Sequence, residues 1–125
     1  MEPLCPCGSG EAYPSCCGPL HRGQTHAATA EQLMRSRYAA FAVGDPAYLL
    51  RTWHPTTRPT SVELDPVRLW VRLDVTDVRG GGFLDTEGVV AFEARYRDDG
   101  RWGVLRERSR FVRDDGRWTY LDAAG

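Results

Sequence analysis

Cys5, Cys7, Cys16 and Cys17 are all the cysteines of this 125-residue chain, and they fall within its first seventeen residues. Four thiolates form the tetrahedral ligand set that structural zinc prefers. Disulfides are the competing chemistry, but pairing the neighbours Cys16 and Cys17 strains the chain, and each connectivity among segments this short demands tight loops. A reducing compartment disfavours them further. Gly8-Ser9-Gly10 follows the first two cysteines, so the backbone can turn sharply there and offer amide N–H groups to thiolate sulfur. Four protein ligands close a coordination shell and leave no position for water or substrate, so the expected metal is one structural zinc ion, not a catalytic one.

A second group of residues could do different chemistry. In the stretch 104–112, Leu105, Glu107, Ser109 and Phe111 share one face of an extended chain, while Arg106, Arg108 and Arg110 share the other. The first is the core face, which directs Glu107 and Ser109 inward. A carboxylate buried without a partner costs several kcal/mol, on the order of 2–7, or shifts its pKa. Arg37 lies in the apolar stripe of a helix with Met34, Tyr38 and Phe41, and is expected to form an ion pair with Glu107. His54, beside Trp53, is expected to add an imidazole to the same cavity. Arg37, Tyr38, Trp53, His54, Glu107 and Ser109 would then be a polar cluster in an aromatic-walled pocket. In a catalytic version Glu107 or His54 is the general base and Arg37 stabilises developing negative charge.

These side chains need elements to hold them. Thr29-Ala30-Glu31-Gln32 reads as a capping box that opens a helix at about residue 30, and Gly44 ends it. Asp45-Pro46 opens a second helix, which the apolar residues carry through Leu49, Leu50 and Trp53 to the stop at Pro55. Beyond residue 68 the pattern becomes extended: 69–78, 89–97, 104–112 and 117–122, with hairpin turns at Asp98-Asp99-Gly100 and Asp114-Asp115-Gly116. Gly80-Gly81-Gly82 reads as a flexible connection. The expectation is an α+β fold in which two helices lie on a curved antiparallel meander. A polar stretch from His21 to Ala28 divides the chain into a knuckle over 1–23 and a domain over 28–124.

Composition excludes several classes. Hydrophobic residues are 42% and charged residues 26%, a soluble globular balance, and the apolar runs are far short of the ~20 residues that span a bilayer. No basic-then-apolar leader is present at the N-terminus, so a cytoplasmic location is expected. Sixteen basic residues, all Arg, against seventeen acidic ones leave a net charge of −1 and no global field for nucleic acid. The row Arg106, Arg108 and Arg110, with Arg95 and Arg97 beside it, is the one local basic feature. Neither a Gly-rich phosphate loop nor a nucleophile elbow occurs.

Cys5-Pro6-Cys7-Gly8-Ser9-Gly10, then Tyr13 and Cys16-Cys17, resembles the SEC-C zinc motif at the C-terminus of the SecA translocation motor. That motif ends in Cys-His or Cys-Cys; the second form is present here, which makes Cys17 the implied fourth ligand and His21 its competitor. With Gly18-Pro19-Leu20-His21, Leu33-Met34-Arg35-Ser36-Arg37-Tyr38 and Trp53-His54-Pro55, the chain resembles the bacterial YchJ family over nearly its full length. The resemblance implies a nuclear transport factor 2-like cone behind the knuckle. It also implies, by analogy with SecA, a protein-docking role for the knuckle through exposed residues such as Tyr13, Pro14 or Leu20.

The function expected from these readings is a zinc-binding cytosolic docking or binding module with an interior pocket for a small molecule. The alternative is a cofactor-independent enzyme acting on a small organic substrate through Glu107 and His54.

Overall fold

The computed structural model describes residues 3–124. A 3-10 turn at Tyr13–Ser15 leads into the short helix α1 (Cys17–His21), followed by α2 (Ala30–Val43) and α3 (Pro46–Arg51). Four strands complete the chain: β1 (Arg68–Gly80), β2 (Glu87–Asp98), β3 (Arg101–Asp114) and β4 (Arg117–Ala123). They form one antiparallel sheet in the order β1-β2-β3-β4, the meander the turn signals require.

The ends of α2 follow from local chemistry. Thr29 Oγ1 accepts the Gln32 N–H at 3.1 Å, while Gln32 Oε1 reaches back to the N–H of Ala28 at 2.7 Å, one residue earlier than a capping box places it. Gly44 closes the helix in the left-handed conformation, φ +80°, its N–H returning to Ala40 O at 2.9 Å. Asp45 Oδ1 accepts from Tyr48 N at 3.1 Å and Pro46 occupies the first turn, so α3 starts where expected. It stops at Arg51, two residues before Trp53. The chain is captured there by β4: Tyr120 N–H donates to Thr52 O and His54 N–H to Tyr120 O, each at 2.8 Å, in a short parallel bridge.

The inner face of β2 is built from Val90, Phe92 and Ala94, all buried, continuing to the half-buried Tyr96. Their partners on β1 are Val78, Val75, Leu73 and Trp70, spaced three, two and three residues apart because the register shifts twice, between Trp70 and Arg72 and between Val75 and Asp77. Such bulges increase twist and bend the strand. A third irregularity, between Arg110 and Phe111, sets β4 at an angle to β3. The sheet therefore curls around α2, whose Ala30, Leu33, Met34 and Tyr38 pack on Leu73, Val90, Phe92, Phe111 and Trp118.

Gly80-Gly81-Gly82 is not a slack connection. Gly81 is buried, its carbonyl accepts the Ala30 N–H at 2.9 Å, and its own N–H donates to Glu87 O at 2.9 Å. A Cβ on Gly81 would lie 2.6 Å from Ala30 Cβ, and one on Gly88 would lie 2.6 Å from Gly81 Cα. The glycines let the start of α2 sit directly on the β1–β2 hairpin. Gly81 also has φ +76°, a conformation that costs an L-residue about 1–2 kcal/mol, and overpacking adds about 1–3 kcal/mol. We predict that Gly81→Ala lowers stability by about 3 kcal/mol, measured by urea denaturation. Gly116→Ala, at φ +78° with open space around it, should cost only about 1 kcal/mol, and an equal loss in both variants would refute the close-packing account.

Candidate metal centre and interior pocket

The four cysteine sulfurs lie within 4.8 Å of one another. Cys7 Sγ is 3.6 Å from Cys16 Sγ, which is 4.0 Å from Cys17 Sγ. Four sulfurs about 2.3 Å from a central zinc stand about 3.8 Å apart, so the observed separations fit a tetrahedral shell. No disulfide joins the four thiols. Gly8 and Gly10 take φ +83° and +85°, turning the loop so that Ser9 Oγ comes 3.1 Å from Cys16 Sγ. The donor set also explains itself electrostatically. The Cys17 hydrogen bond holds the Cys7 thiol down at about 4, the same bond together with burial pushes the Cys17 thiol up, and burial raises Cys5 to about 11. A bound dication would favour the thiolate form of the buried Cys5 and Cys17 that burial opposes.

His21 is excluded from this shell by its own bonds. Its Nε2 lies 2.8 Å from Ser36 O, a carbonyl that only accepts, so Nε2 carries the proton. Its Nδ1 is 2.6 Å from Tyr13 Oη, and its ring packs on Tyr48 at 4.6 Å. The imidazole is thus a buried strut between the knuckle, α2 and α3. Arg35 Nη1 adds a second tie, donating to Cys7 O at 2.8 Å, and Arg51 Nη2 a third, donating to His21 O at 2.7 Å. Leu20, expected at the surface, is buried against Ala40, Tyr48 and Leu49. Tyr13 is half-buried with its hydroxyl committed to His21, which leaves Pro3, Leu4 and Pro14 as the exposed apolar residues among the described residues of the knuckle.

On the other side of α2 the curled sheet encloses a cavity of about 360 Å³. Arg37, Tyr38, Trp53, Glu107 and Ser109 line it, walled by Met34, Phe41, Trp70, Phe92, Leu105 and Phe111. His54 does not. Trp53 faces the cavity, and the next residue of this extended segment lies on the opposite side. There His54 Nδ1 accepts from Thr56 N at 3.2 Å and pairs with Thr56 Oγ1 at 2.7 Å.

The ion pair expected between Arg37 and Glu107 does not form either. Arg37 Nη1 donates to Leu49 O at 2.8 Å and Thr52 Oγ1 at 2.7 Å, and the guanidinium lies over the rings of Tyr120 (4.7 Å) and Trp53 (5.1 Å). The buried carbonyl of Leu49, near the end of α3 where helical donors run out, takes the charge that Glu107 was expected to take. Glu107 Oε2 accepts instead from Ser109 Oγ at 2.5 Å and Tyr120 Oη at 3.4 Å. Burial lowers Arg37 only to about 10, so it remains a cation at neutral pH, while burial and then the Glu107 charge raise Tyr120 to about 12, leaving a neutral phenol.

Tyr120, Arg68 and Trp70 are pocket residues that sequence reasoning missed. Trp70 sits before a bulge that breaks the period-two reading, and Tyr120 meets Trp53 through a bridge of residues 67 apart that no local signal marks. Arg68 lines the cavity with its charge held by Asp98 at 2.7 and 3.0 Å and its guanidinium 3.9 Å over the Tyr96 ring.

Three arginines of the outer sheet face are paired, while Arg97 lies over the Trp102 ring. Arg106 pairs with Glu93, Arg108 with Asp77 and Arg110 with Asp122, at 3.4, 3.2 and 2.5 Å, so the basic row has little field left for phosphate.

A cysteine knuckle seated on a helix-covered, curled four-stranded sheet defines a SEC-C-type module on a nuclear transport factor 2-like domain. Residues 29–123 match the family model described as the YchJ middle NTF2-like domain. A UPF0225 protein of Streptomyces coelicolor is 53% identical over 120 residues, covering 96% of this chain and 94% of that one. A UPF0225 protein of Deinococcus radiodurans is 47% identical over 121 residues, covering 96% and 88%. The solution structure of a SEC-C motif containing protein from Rhodopseudomonas palustris superposes with TM-score 0.82 at 34% identity, covering 100% of this chain and 98% of that one. The crystal structure of a SEC-C motif containing protein from Psychrobacter arcticus gives TM-score 0.77 at 27% identity, covering 94% and 80%. The chain belongs to the YchJ, or UPF0225, family.

Ligand and strut are separable by mutation. We predict that His21→Ala keeps full metal content while losing about 1–3 kcal/mol of stability, because it removes a buried side chain and two hydrogen bonds that tie the knuckle to α2. Cys16→Ser should lose the metal. Elemental analysis of both proteins decides, and metal lost from the first but kept by the second would reverse the assignment.

Proposed function

We propose that this protein is a non-catalytic, zinc-stapled small-molecule-binding module of the cytoplasm, in which the cysteine knuckle clamps α2 and the cavity is the working site. The observation that carries this reading is the double use of α2. Ala39 packs against Cys5, Cys7 and Cys17, while Met34, Arg37 and Tyr38 of the same helix line the cavity. One zinc on Cys5, Cys7, Cys16 and Cys17 would hold that helix in place and leave no open coordination position for chemistry. Four thiols without a disulfide suit a reducing compartment, and among the described residues no helix is long and apolar enough to cross a membrane.

The enzyme alternative needs Glu107 and His54 within proton-transfer reach of one substrate. His54 lies outside the cavity and is bonded to Thr56, which removes the second group of the pair. Docking of a protein partner on the knuckle is the second reading, and the exposure of Leu4, 68%, beside the exposed Pro14 favours it.

Purified untagged protein should contain one zinc per chain, with the four thiols protected from alkylation until a chelator is added. Chelation should lower the melting temperature on the order of 10 °C, and added zinc should restore it. A metal-free protein with oxidised or freely reactive thiols, and a melting point indifferent to zinc, would overturn the staple.

A further inference from the structure

The cavity contains one cation without a counter-ion. Arg37 is 7% exposed, and among the described residues no carboxylate lies within salt-bridge distance of it; its protein hydrogen bonds all use Nη1. Among the described residues, its Nε and Nη2 donors have no acceptor. Arg68, the other guanidinium of the lining, differs in this respect, being held bidentately by Asp98. A buried charge is costly unless paired, and Glu107 lines the same cavity without bonding to Arg37, so Arg37 is a standing site for a directly bound anion.

A second orphan lies beside it. The indole Nε1–H of Trp53 is buried and has no acceptor, the one such side-chain group among the described residues. Buried polar groups in folded proteins are nearly always paired, which makes this indole an exception in the wall that supports Arg37. Trp53 and Arg37 are neighbours, with the guanidinium 5.1 Å from the indole ring, and both pack on Tyr120. The planar fork formed by Nε and Nη2 of Arg37 suits a carboxylate, whose two oxygens can take parallel bonds.

The rest of the lining limits what carries that carboxylate. Glu107 faces the same cavity, and its Oε2 is taken by Ser109 and Tyr120 while Oε1 accepts from no protein donor. This negative charge shares Tyr120 with Arg37, and it repels a second anionic group on the ligand. The remaining walls, Phe41, Trp70, Phe92 and Leu105 among them, are apolar and mostly aromatic. At about 360 Å³ the space is near the small end of ligand cavities, which run roughly 300–1,000 Å³. Resting on the binding-module reading above, we infer that the cavity takes a small organic monocarboxylate with a flat apolar body, its carboxylate on Arg37 beside the Trp53 indole. Glu107 selects against dianions.

The test uses full-length zinc-loaded protein, titrated with 3-phenylpropionate, its amide, 3-phenylpropylamine and phenylsuccinate. Calorimetry gives affinity, and the indole region of a proton–nitrogen correlation spectrum gives the site. Trp53→Phe removes one indole resonance and so assigns it. The monocarboxylate is expected to bind at least tenfold more tightly than the amide or phenylsuccinate and to move the Trp53 indole resonance. Glu107→Gln should narrow the gap for phenylsuccinate several-fold, and Arg37→Met should abolish the preference for acid over amide. If Arg37→Met does not fold, Trp53→Phe should still weaken the acid three- to tenfold while leaving the amine unchanged. Equal or tighter binding of the amide or amine would overturn the anion assignment and leave the binding module standing. If none of the four compounds moves the Trp53 resonance, the monocarboxylate assignment and the pocket-binding reading both fall.

Discussion

The second helix is enclosed on three sides, and the rest of the molecule depends on that enclosure. Residues 36–40 are all buried: Ala39 faces the cysteines, Ala40 faces α3, and Tyr38 faces the sheet. Alanine at 39 and 40 and serine at 36 allow two neighbours to approach a helix that a third already covers, because close packing leaves room only for small side chains on the crowded flanks. Ser36 shows how little slack remains. Its Oγ donates to Leu33 O at 2.8 Å and lies 2.7 Å from the Tyr48 hydroxyl, while its carbonyl accepts from His21. One residue therefore joins helix, knuckle and α3 through three polar contacts in an otherwise apolar environment, where each bond is strengthened and each omission costly.

This arrangement gives the knuckle a physical role without any partner. A segment as short as residues 3–24 cannot bury enough apolar surface to fold alone, and coordination by four thiolates is the usual remedy. Here the cluster does more than fold itself. Cys5, Cys7 and Cys17 form part of the packed surface of α2, and Arg35 reaches from the helix to the Cys7 carbonyl. The cysteine cluster is thereby joined to the helix that carries Arg37 and Tyr38 into the cavity.

The cavity is shaped by irregularity. Two bulges in β1 and one irregularity at the β3–β4 junction add bend to a sheet that is already twisted, and the cavity lies between its inner face and α2. The polar groups inside are arranged around Tyr120, whose ring supports Arg37 and Trp53 and whose hydroxyl faces Glu107. Cation and carboxylate are thus held near each other but apart, each with donors or acceptors left over. A satisfied structural pair would have consumed them both.

Much of this was legible from residue order because it depends on local chemistry. Four cysteines within thirteen residues leave few solutions, the Thr29 and Asp45 caps and Gly44 delimit the helices, and parity along residues 104–112 places Glu107 and Ser109 on the inner face. The partners of those side chains were not legible. Whether Arg37 meets Glu107 or the Leu49 carbonyl depends on how α3 ends and how Tyr120 captures Thr52, contacts between segments some 70 residues apart that no periodicity records. The same is true of His54, one residue from a cavity wall yet on its far side, and of Gly81, whose small size matters because of Ala30 and not because of its own neighbours in sequence. Residue types determine which chemistry is available, since a thiolate or a guanidinium carries its reactivity wherever it lies. Only the tertiary structure decides which groups remain unpaired, because pairing depends on distances across the fold.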